Sequence, residues 1–361
     1  MQENARYHRR IAALRNELSS LKLDAFISTA APTLQYLCGY SGSNGLLVVS
    51  KRSVHFFTDF RYQEIIQTAV TADAKIIGKG SLLQVVAKKG VFKSFKTVAV
   101  EQDRLSLTEF VLLKKFILPK KIVLTSGLVE QLRAVKDHWE TASLKRAFAI
   151  SDRVFDQLLG IIKPGMTELE VSAEISYLHK KHGAENDSFD VIVASGVRGS
   201  LPHGTATEKK IRTGEFITLD FGCLFGGYHS DMTRTICVGR PTAEMKKVYR
   251  TVLDAQQKAC DAVRSGIPAK LLDRIARKHI ANKGYGKYFG HSLGHGVGLE
   301  IHELPRVAPK SKDTLEAGNV ITIEPGIYLP ERFGIRIEDT VVVTSSGCEV
   351  LTRSPKELIT I

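Results

Sequence analysis

His291-Ser-Leu-Gly-His-Gly-Val-Gly-Leu-Glu-Ile-His-Glu303 carries three histidines and three glycines in one short run. Gly294, Gly296 and Gly298 alternate with His295, Val297 and Leu299. A strand with glycine at every second position has one bare face, where a second backbone or a ligand approaches closely. A lone histidine in an apolar segment is ordinarily a core residue with a satisfied ring. Three histidines beside so many glycines point instead to a site.

Outward from this run, on both sides, lie acidic strand pairs. On the N-terminal side, Phe216-Ile-Thr-Leu-Asp-Phe221 alternates, with Ile217, Leu219 and Phe221 on one face and Thr218 and Asp220 on the other. Gly226-Gly227 turns the chain and Tyr228 begins a return strand. A loop centred between Phe225 and Gly226 sets Asp220 directly opposite Asp231, with Cβ atoms about 4.5–5.5 Å apart. Two bare carboxylates at that distance repel, so either one holds a proton or a cation sits between them. On the C-terminal side, Ile321-Thr-Ile-Glu324 places Thr322 and Glu324 on one face. Pro325-Gly326 interrupts it, and a loop through Pro330 leads to Ile335-Arg-Ile-Glu338, where Arg336 and Glu338 share a face. A buried Glu324/Arg336/Glu338 ion cluster is the purely structural alternative for this second hairpin, because polar groups in apolar strands are costly unless paired or metal-bound. Together Asp220, Asp231, His295, Glu324 and Glu338 supply four carboxylates and an imidazole, enough to balance two divalent cations. Oxygen-rich ligation with a single imidazole favours Mn²⁺, Fe²⁺ or Co²⁺ over a thiolate-type zinc site. Paired ions roughly 3.5–4 Å apart act as Lewis acids on a carbonyl.

The rest of the chain frames this centre. A long helix is expected over about Asp137 to Ile162, stopped by Lys163-Pro-Gly165. Thr167-Glu-Leu-Glu170 reads as a capping box opening the next helix, which closes near His182-Gly183. Strands are expected at Val191–Ala194, Phe216–Phe221, Tyr228–Val238, Val320–Glu324, Ile335–Glu338 and Thr340–Val343. Further helices are expected over Met245–Val263 and Asp273–Lys283. Residues 1–127 read as a separate α/β domain, beginning with a helix whose apolar positions are Ile11, Leu14, Leu18 and Leu21. Its strands are expected at Asp24–Ser28, Leu46–Val49, Val54–Phe57, Val98–Val100 and Ile122–Leu124. Ser41-Gly-Ser-Asn-Gly45 lacks the Lys-Ser/Thr of a phosphate cradle and reads as a turn.

The 361 residues are 43% hydrophobic and 25% charged, which excludes wholesale disorder. No apolar run reaches the roughly 18 residues of a membrane span. The polar first ten residues carry no secretory signal pattern. Five scattered cysteines, with no Cys-x-x-Cys pair, suggest reduced thiols in a cytoplasmic protein. Residues 1–127 hold 19 basic and 9 acidic side chains, against 32 and 29 in 128–361. The basic excess is dispersed in pairs such as Lys88-Lys89 and Lys114-Lys115, so a nucleic-acid partner is not expected.

The run His291 to Glu303 resembles the signature of the Xaa-Pro peptidases, aminopeptidase P and prolidase, at every position. Leu201-Pro-His-Gly204, Thr218-Leu-Asp-Phe-Gly222, Ser230-Asp-Met-Thr-Arg234, Ile323-Glu-Pro-Gly-Ile-Tyr328 and Arg336-Ile-Glu-Asp339 follow the family's order. Tyr36-Leu-Cys-Gly-Tyr-Ser-Gly-Ser43 and Thr58-Asp-Phe-Arg-Tyr62 extend the likeness into the first domain. The resemblance implies a mixed α/β and α+β chain: a creatinase-like α/β domain over 1–127, then a pita-bread metallopeptidase domain over 128–361. It implies that Asp220 chelates one ion, Asp231 and Glu338 bridge both, and His295 and Glu324 bind the other. Glu324 would also take the nucleophilic water's proton. His203, His291 and His302 would line the substrate site, Arg336 would orient nearby carboxylates, and Tyr328 would stand behind them. The implied ions are two per chain, Mn²⁺ first, with Co²⁺, Fe²⁺ or Zn²⁺ as alternatives. The implied substrates are proline-containing peptides or dipeptides, and the implied assembly is a homodimer associating through the first domain. The first-domain segments favour an Xaa-Pro aminopeptidase over the Xaa-Pro dipeptidase of the same fold. Creatinase lacks this ligand set, and methionine aminopeptidase usually lacks the preceding domain. A non-enzymatic nucleic-acid- or protein-binding relative would have lost metal ligands, and all five are present here.

Overall fold

A computed structural model describes residues 2–117 and 121–361. The chain divides into two units between Arg133 and Ala134. The first contains α1 (Gln2–Ser20), β1 (Ala25–Ser28), α2 (Ala31–Cys38), β2 (Gly45–Ser50), β3 (Val54–Thr58), α3 (Ile65–Ala69), β4 (Ala74–Ile77), α4 (Leu82–Lys88), β5 (Thr97–Glu101), α5 (Leu107–Ile117) and β6 (Lys121–Thr125), and it reaches into α6 (Leu128–Ala134). Its sheet has the order β4-β3-β2-β1-β5-β6. The β1/β5, β5/β6 and β3/β4 pairs are parallel, and the others are antiparallel. Every residue of β1 and β2 is buried, which is why these strands read as continuous apolar runs rather than alternating ones. Their side chains pack with Leu83 and Val86 of α4 and Leu113 of α5. Helix α1 buries Ile11, Leu14 and Leu18 but ends at Ser20, so Leu21 lies outside it, half exposed. α6 belongs largely with this unit because Leu128 and Val129 are buried and the Tyr36 hydroxyl donates to the Leu132 carbonyl at 3.0 Å.

The second unit contains α7 (His138–Ile161), α8 (Glu168–Lys181), β7 (Asn186–Asp187), β8 (Ile192–Ser195), β9 (Phe216–Phe221), β10 (Cys223–Phe225), β11 (Tyr228–His229), β12 (Met232–Cys237), α9 (Ala243–Asp261), α10 (Ala269–Asn282), β13 (Gly294–Gly296), β14 (Glu303–Val307), β15 (Val320–Ile323), β16 (Gly326–Leu329), β17 (Phe333–Arg336), β18 (Asp339–Val343) and β19 (Cys348–Val350). Asp137 with Glu140 and Thr167 with Glu170 form complete capping boxes that start α7 and α8. These two helices cover the β12-β9-β8 sheet, where Phe155, Leu158, Val171 and Ile175 share a core with Ile217, Leu219, Phe221 and Ile236. Helices α9 and α10 build a second core: Val248, Val252, Leu272 and Ala276 pack with Ile321, Ile323, Ile335, Ile337 and Val341. Each sheet thus turns its apolar face to a helix pair and leaves a polar face free. Those polar faces meet, as Thr235 Oγ1 donates to the Arg336 carbonyl at 2.9 Å and Glu338 N donates to the Thr233 carbonyl at 3.1 Å.

The second acidic hairpin differs from the expected one. β15 pairs with β18, Ile323 opposite Asp339, while β16 and β17 form their own hairpin with Gly326 opposite Arg336. Pro325 lies between β15 and β16. It has no N–H to give to a ladder, and the chain changes sheet there. The glycine-rich strand is also shorter than expected, being regular only over Gly294–Gly296. Its bare face is used by backbone: a Cβ on Gly294 would lie 2.0 Å from the Thr322 carbonyl oxygen.

A buried ion pair ties the two sheets together. Arg234 of β12 and Asp339 of β18 meet at 2.9 Å, each 1% exposed. Arg234 also donates to the carbonyls of Glu338, Pro355 and Ser354, and Asp339 accepts from Thr352, Gln256 and Lys356. Burial alone would raise the Asp339 carboxyl, but Arg234 and Lys356 outweigh it and hold the group below its usual range. Asp339→Asn leaves the Arg234 charge buried without its partner, and it should cost about 3–5 kcal/mol in urea unfolding at neutral pH. Because the folded value is depressed, the wild-type advantage is complete above the unfolded value of about 3.9 and shrinks as pH falls below it. A stability gap that stays constant from pH 7 to pH 3 would contradict this account.

Candidate metal centre

The centre is assembled on the seam between the two sheets. Asp220 comes from β9, Asp231 from the break between β11 and β12, and Glu338 from the residue before β18. One ligand oxygen from each lies within 4.8 Å of the other two. The register that brings them together is not the one expected. Gly226 and Gly227 both adopt left-handed conformations, with φ of 59° and 77°. They form a two-residue turn of the kind that matches the twist of a hairpin, and Phe225 pairs with Tyr228 across it. Asp220 therefore faces Thr233, and Asp231 is its diagonal neighbour on the same face rather than its direct partner. Diagonal positions remain within side-chain reach.

His295 of β13 and Glu324, just after β15, complete the set. His295 Nε2 lies 3.3 Å from Glu324 Oε1 and 3.6 Å from Asp231 Oδ2. Its Nδ1 is 3.1 Å from the Gly296 carbonyl, which fixes Nδ1 as the N–H and turns Nε2 toward the carboxylates. Thr322 Oγ1 accepts from His295 N and donates to Glu324 Oε1, both at 3.1 Å, so one hydroxyl registers the two residues. Thr233 Oγ1 does the same on the other sheet. It donates to Glu338 Oε2 at 2.7 Å and accepts from Arg336 Nε at 3.1 Å. Arg336 pairs with Asp220, not with Glu324 or Glu338 as the ion-cluster alternative would have it. Its remaining donors go to Tyr328 Oη at 2.7 Å and the Pro202 carbonyl at 3.2 Å.

The electrostatics are those of crowded anions. Asp231 and Glu338 are pushed well above the usual carboxylate range, first by burial, then by nearby negative charge: Glu338, Asp220 and Glu324 for Asp231, and Glu324 and Asp220 for Glu338. Asp220 is raised by burial despite Arg336. Glu324 goes the other way: burial would raise it, but the hydrogen bond and charge of His295 bring it to about 2. The same pairing raises His295 against the opposing effect of burial. Glu338 Oε1 has no hydrogen-bond partner among the described residues, although Glu338 is only 1% exposed. A buried carboxylate oxygen left unpaired is costly, and a cation would satisfy it. The donor set of carboxylate oxygens and one imidazole nitrogen fits hard divalent ions, and no thiolate belongs to it.

The three other histidines fall around this cluster. His291 Nε2 accepts from the Tyr328 hydroxyl at 2.9 Å while its Nδ1 faces the Ser292 carbonyl at 2.8 Å. The Ser292 carbonyl requires an N–H at Nδ1, so neutral His291 presents Nε2 as an acceptor, and the Tyr328 hydroxyl, which accepts from Arg336, donates to it. Burial lowers its pKa as well. His302 is exposed, its ring 4.3 Å from that of His295, and desolvation followed by the His295 charge lowers it. His203 is exposed, and the carbonyl of the preceding Pro202 accepts from Arg336 at 3.2 Å. All the expected site residues thus gather around one seam. Thr233 was not anticipated, although it stands two residues after Asp231 and so shares its face. The buried pair Lys136–Glu303, at 2.6 Å, was also missed, as sequence separation conceals it.

Comparison with known proteins matches this architecture. Residues 142–345 fit the model of Metallopeptidase family M24, and residues 10–135 fit the Creatinase/Prolidase N-terminal domain. An Xaa-Pro dipeptidase of Pyrococcus horikoshii is 38% identical over 342 residues, which cover 93% of this chain and 95% of that protein. The structure of an Xaa-Pro dipeptidase from Bacillus anthracis superposes with a TM-score of 0.95 at 42% identity, covering 98% of this chain and 100% of that one. An X-Pro aminopeptidase from Thermotoga maritima gives 0.90 at 38% identity, covering 96% and 100%. The seam of carboxylates between two helix-covered sheets is therefore that of a pita-bread metallopeptidase, and the chain belongs to family M24, with a creatinase/prolidase domain ahead of its catalytic unit.

Proposed function

We propose that this protein hydrolyses the bond between an N-terminal residue and a following proline. Xaa-Pro dipeptides are its principal substrates. Two divalent ions, Mn²⁺ first among candidates, are held by Asp220, Asp231, His295, Glu324 and Glu338. The observation that carries this reading is the buried Asp220/Asp231/Glu338 cluster with the unpartnered Glu338 oxygen, set in an M24 chain. The dipeptide preference is supported by the relatives from Bacillus anthracis and Pyrococcus horikoshii, whose names specify dipeptides. The aminopeptidase reading, favoured by the first-domain segments, is supported by the Thermotoga maritima structure.

When bound, such ions supply Lewis acidity at the scissile carbonyl and a lowered pKa for water. The chain's own residues do the rest. The amide nitrogen of an Xaa-Pro bond carries no hydrogen, so the site offers it no acceptor, yet the departing secondary amine must gain a proton. Glu324 Oε1 lies 3.3 Å from His295 Nε2 and accepts from Thr322 Oγ1. It takes the proton of the attacking water and returns it to the proline nitrogen, acting as base and then acid. The new carbon–oxygen bond replaces the broken carbon–nitrogen bond, and no net proton is consumed by the protein. His302 and His203 stand exposed beside the cluster and donate to the developing oxyanion, and Arg336 holds Asp220 in place. A cytoplasmic setting is supported by the five free cysteines, four of them buried. The homodimer rests on the resemblance, and sedimentation as a monomer would remove it.

With Mn²⁺ added, Xaa-Pro dipeptides should be cleaved faster than Xaa-Pro-Yaa-Yaa peptides, and both far faster than Xaa-Ala. Equal rates on Xaa-Ala would sink the substrate class. Asp231→Ala should lower bound metal below two ions per chain by elemental analysis. Full wild-type activity in metal-free protein would refute the centre altogether. His302→Ala should keep its metal but lose about 10²–10³ in kcat, the usual cost of one oxyanion donor. A wild-type kcat/KM in that variant would exclude the role given to His302.

A further inference from the structure

We propose that Glu168 is the positioning residue for His203, a role that rests on the hydrolase reading above. Glu168 opens α8 and is fully buried, remote in sequence from every residue of the centre. One of its oxygens accepts from Ser195 N at 2.8 Å and Ser195 Oγ at 2.9 Å. The other accepts from Arg198 Nε at 2.9 Å, Thr207 N at 3.1 Å and Thr207 Oγ1 at 2.7 Å. One carboxylate therefore gathers both ends of the segment 195–207, which carries His203.

The clamp is continued by its partners. Arg198 donates to the Thr205 carbonyl, two residues beyond His203, and Lys209 Nζ bridges Ser195 Oγ at 2.8 Å to Glu215 Oε2 at 2.7 Å. From the opposite side, Arg336 reaches the carbonyl of Pro202, the residue before His203. The backbone on both sides of His203 is thus fixed, by Arg336 before it and by the Glu168–Arg198 pair after it, while the imidazole itself stays exposed. Only a carboxylate fits this duty. It is acceptor-only, so five donors can converge on it, and its charge offsets the Arg198 guanidinium. A glutamine would present an N–H₂ to some of those donors and leave Arg198 uncompensated. Conserving the fold would need only a satisfied helix start, which Thr167 and Glu170 already provide.

The test is a double-mutant cycle in the full-length, Mn²⁺-loaded protein, with an alanyl-proline dipeptide as substrate. Glu168→Gln should lower kcat/KM about 10–100-fold, the scale of loss from a misplaced catalytic group, with metal content unchanged. Arg198→Ala, at a side chain 26% exposed, is the milder second variant and should lose part of the same activity. Combined with His203→Ala, neither should reduce kcat/KM more than about threefold below His203→Ala alone, because the clamp has nothing left to position. Losses that multiply in the double variants overturn the proposal, as does wild-type kcat/KM in Glu168→Gln or in His203→Ala. If Glu168→Gln does not fold, the Arg198→Ala pair decides by the same criterion. A wild-type protein inactive on the dipeptide overturns the hydrolase reading itself, a result distinct from multiplicative losses in an active enzyme.

Discussion

Like charges in a confined, water-poor seam govern this structure. Asp220, Asp231 and Glu338 bring oxygens within 4.8 Å of one another. At an effective dielectric of about 20, each ionised pair at that distance repels by roughly 3–4 kcal/mol. Side chains alone do not cancel this. Arg336 answers Asp220, and His295 answers Glu324, but Asp231 and Glu338 stay pushed toward the neutral form. Everything around the cluster can be understood as holding it against that repulsion. Threonines on both sheets hydrogen-bond Glu338 and Glu324 oxygens, and the Arg234–Asp339 pair pins the strand that follows Asp231 to the strand that follows Glu338. A ligand that binds only the folded protein stabilises it by mass action, so a cation held here would serve stability and chemistry together.

The polar chain from the cluster outward has a direction. Arg336 can only donate, so Tyr328 Oη accepts from it, and the same hydroxyl donates to the bare Nε2 of neutral His291. His291 is left with its Nδ1–H on the Ser292 carbonyl and stays neutral. Asp220, Arg336, Tyr328 and His291 are therefore one hydrogen-bonded line in which every donor and acceptor is assigned. A neutral imidazole at its end suits the proposed centre, since a further positive charge there would repel a bound cation.

Much of this was legible in the residues because the signals are local. Thr167-x-x-Glu170 and the period-two alternation of Phe216–Phe221 depend only on near neighbours, and helices and faces followed. The clustering of the histidine and acid set was legible because five residues of three metal-ligating types, Asp, Glu and His, recur on or directly beside strands. Besides Thr233 and the Lys136–Glu303 pair, three further features were not. The Asp220 register turned on where the Gly226-Gly227 turn is centred, a shift that composition does not reveal. The β15/β18 pairing depended on Pro325 sending the chain into a different sheet. Glu168 looked like one residue of a capping box, because its partners Ser195, Arg198 and Thr207 lie too far along the chain for any periodicity to suggest them.

The second unit has two separate apolar cores, one under α7 and α8 and one under α9 and α10, joined across a polar seam. Mechanically it is a pair of lobes, each with a rigid interior, riveted along a line that contains the reactive groups. Bonds from carboxylate oxygen to a divalent ion span only about 2.0–2.6 Å and tolerate little slack. A tilt of one lobe against the other by an ångström would leave each interior undisturbed and yet pull the ligand cage apart. With the proposed ions in place, the gap between the lobes would be gauged by the ion radius, and misalignment would show itself as lost chemistry long before it showed itself as lost structure.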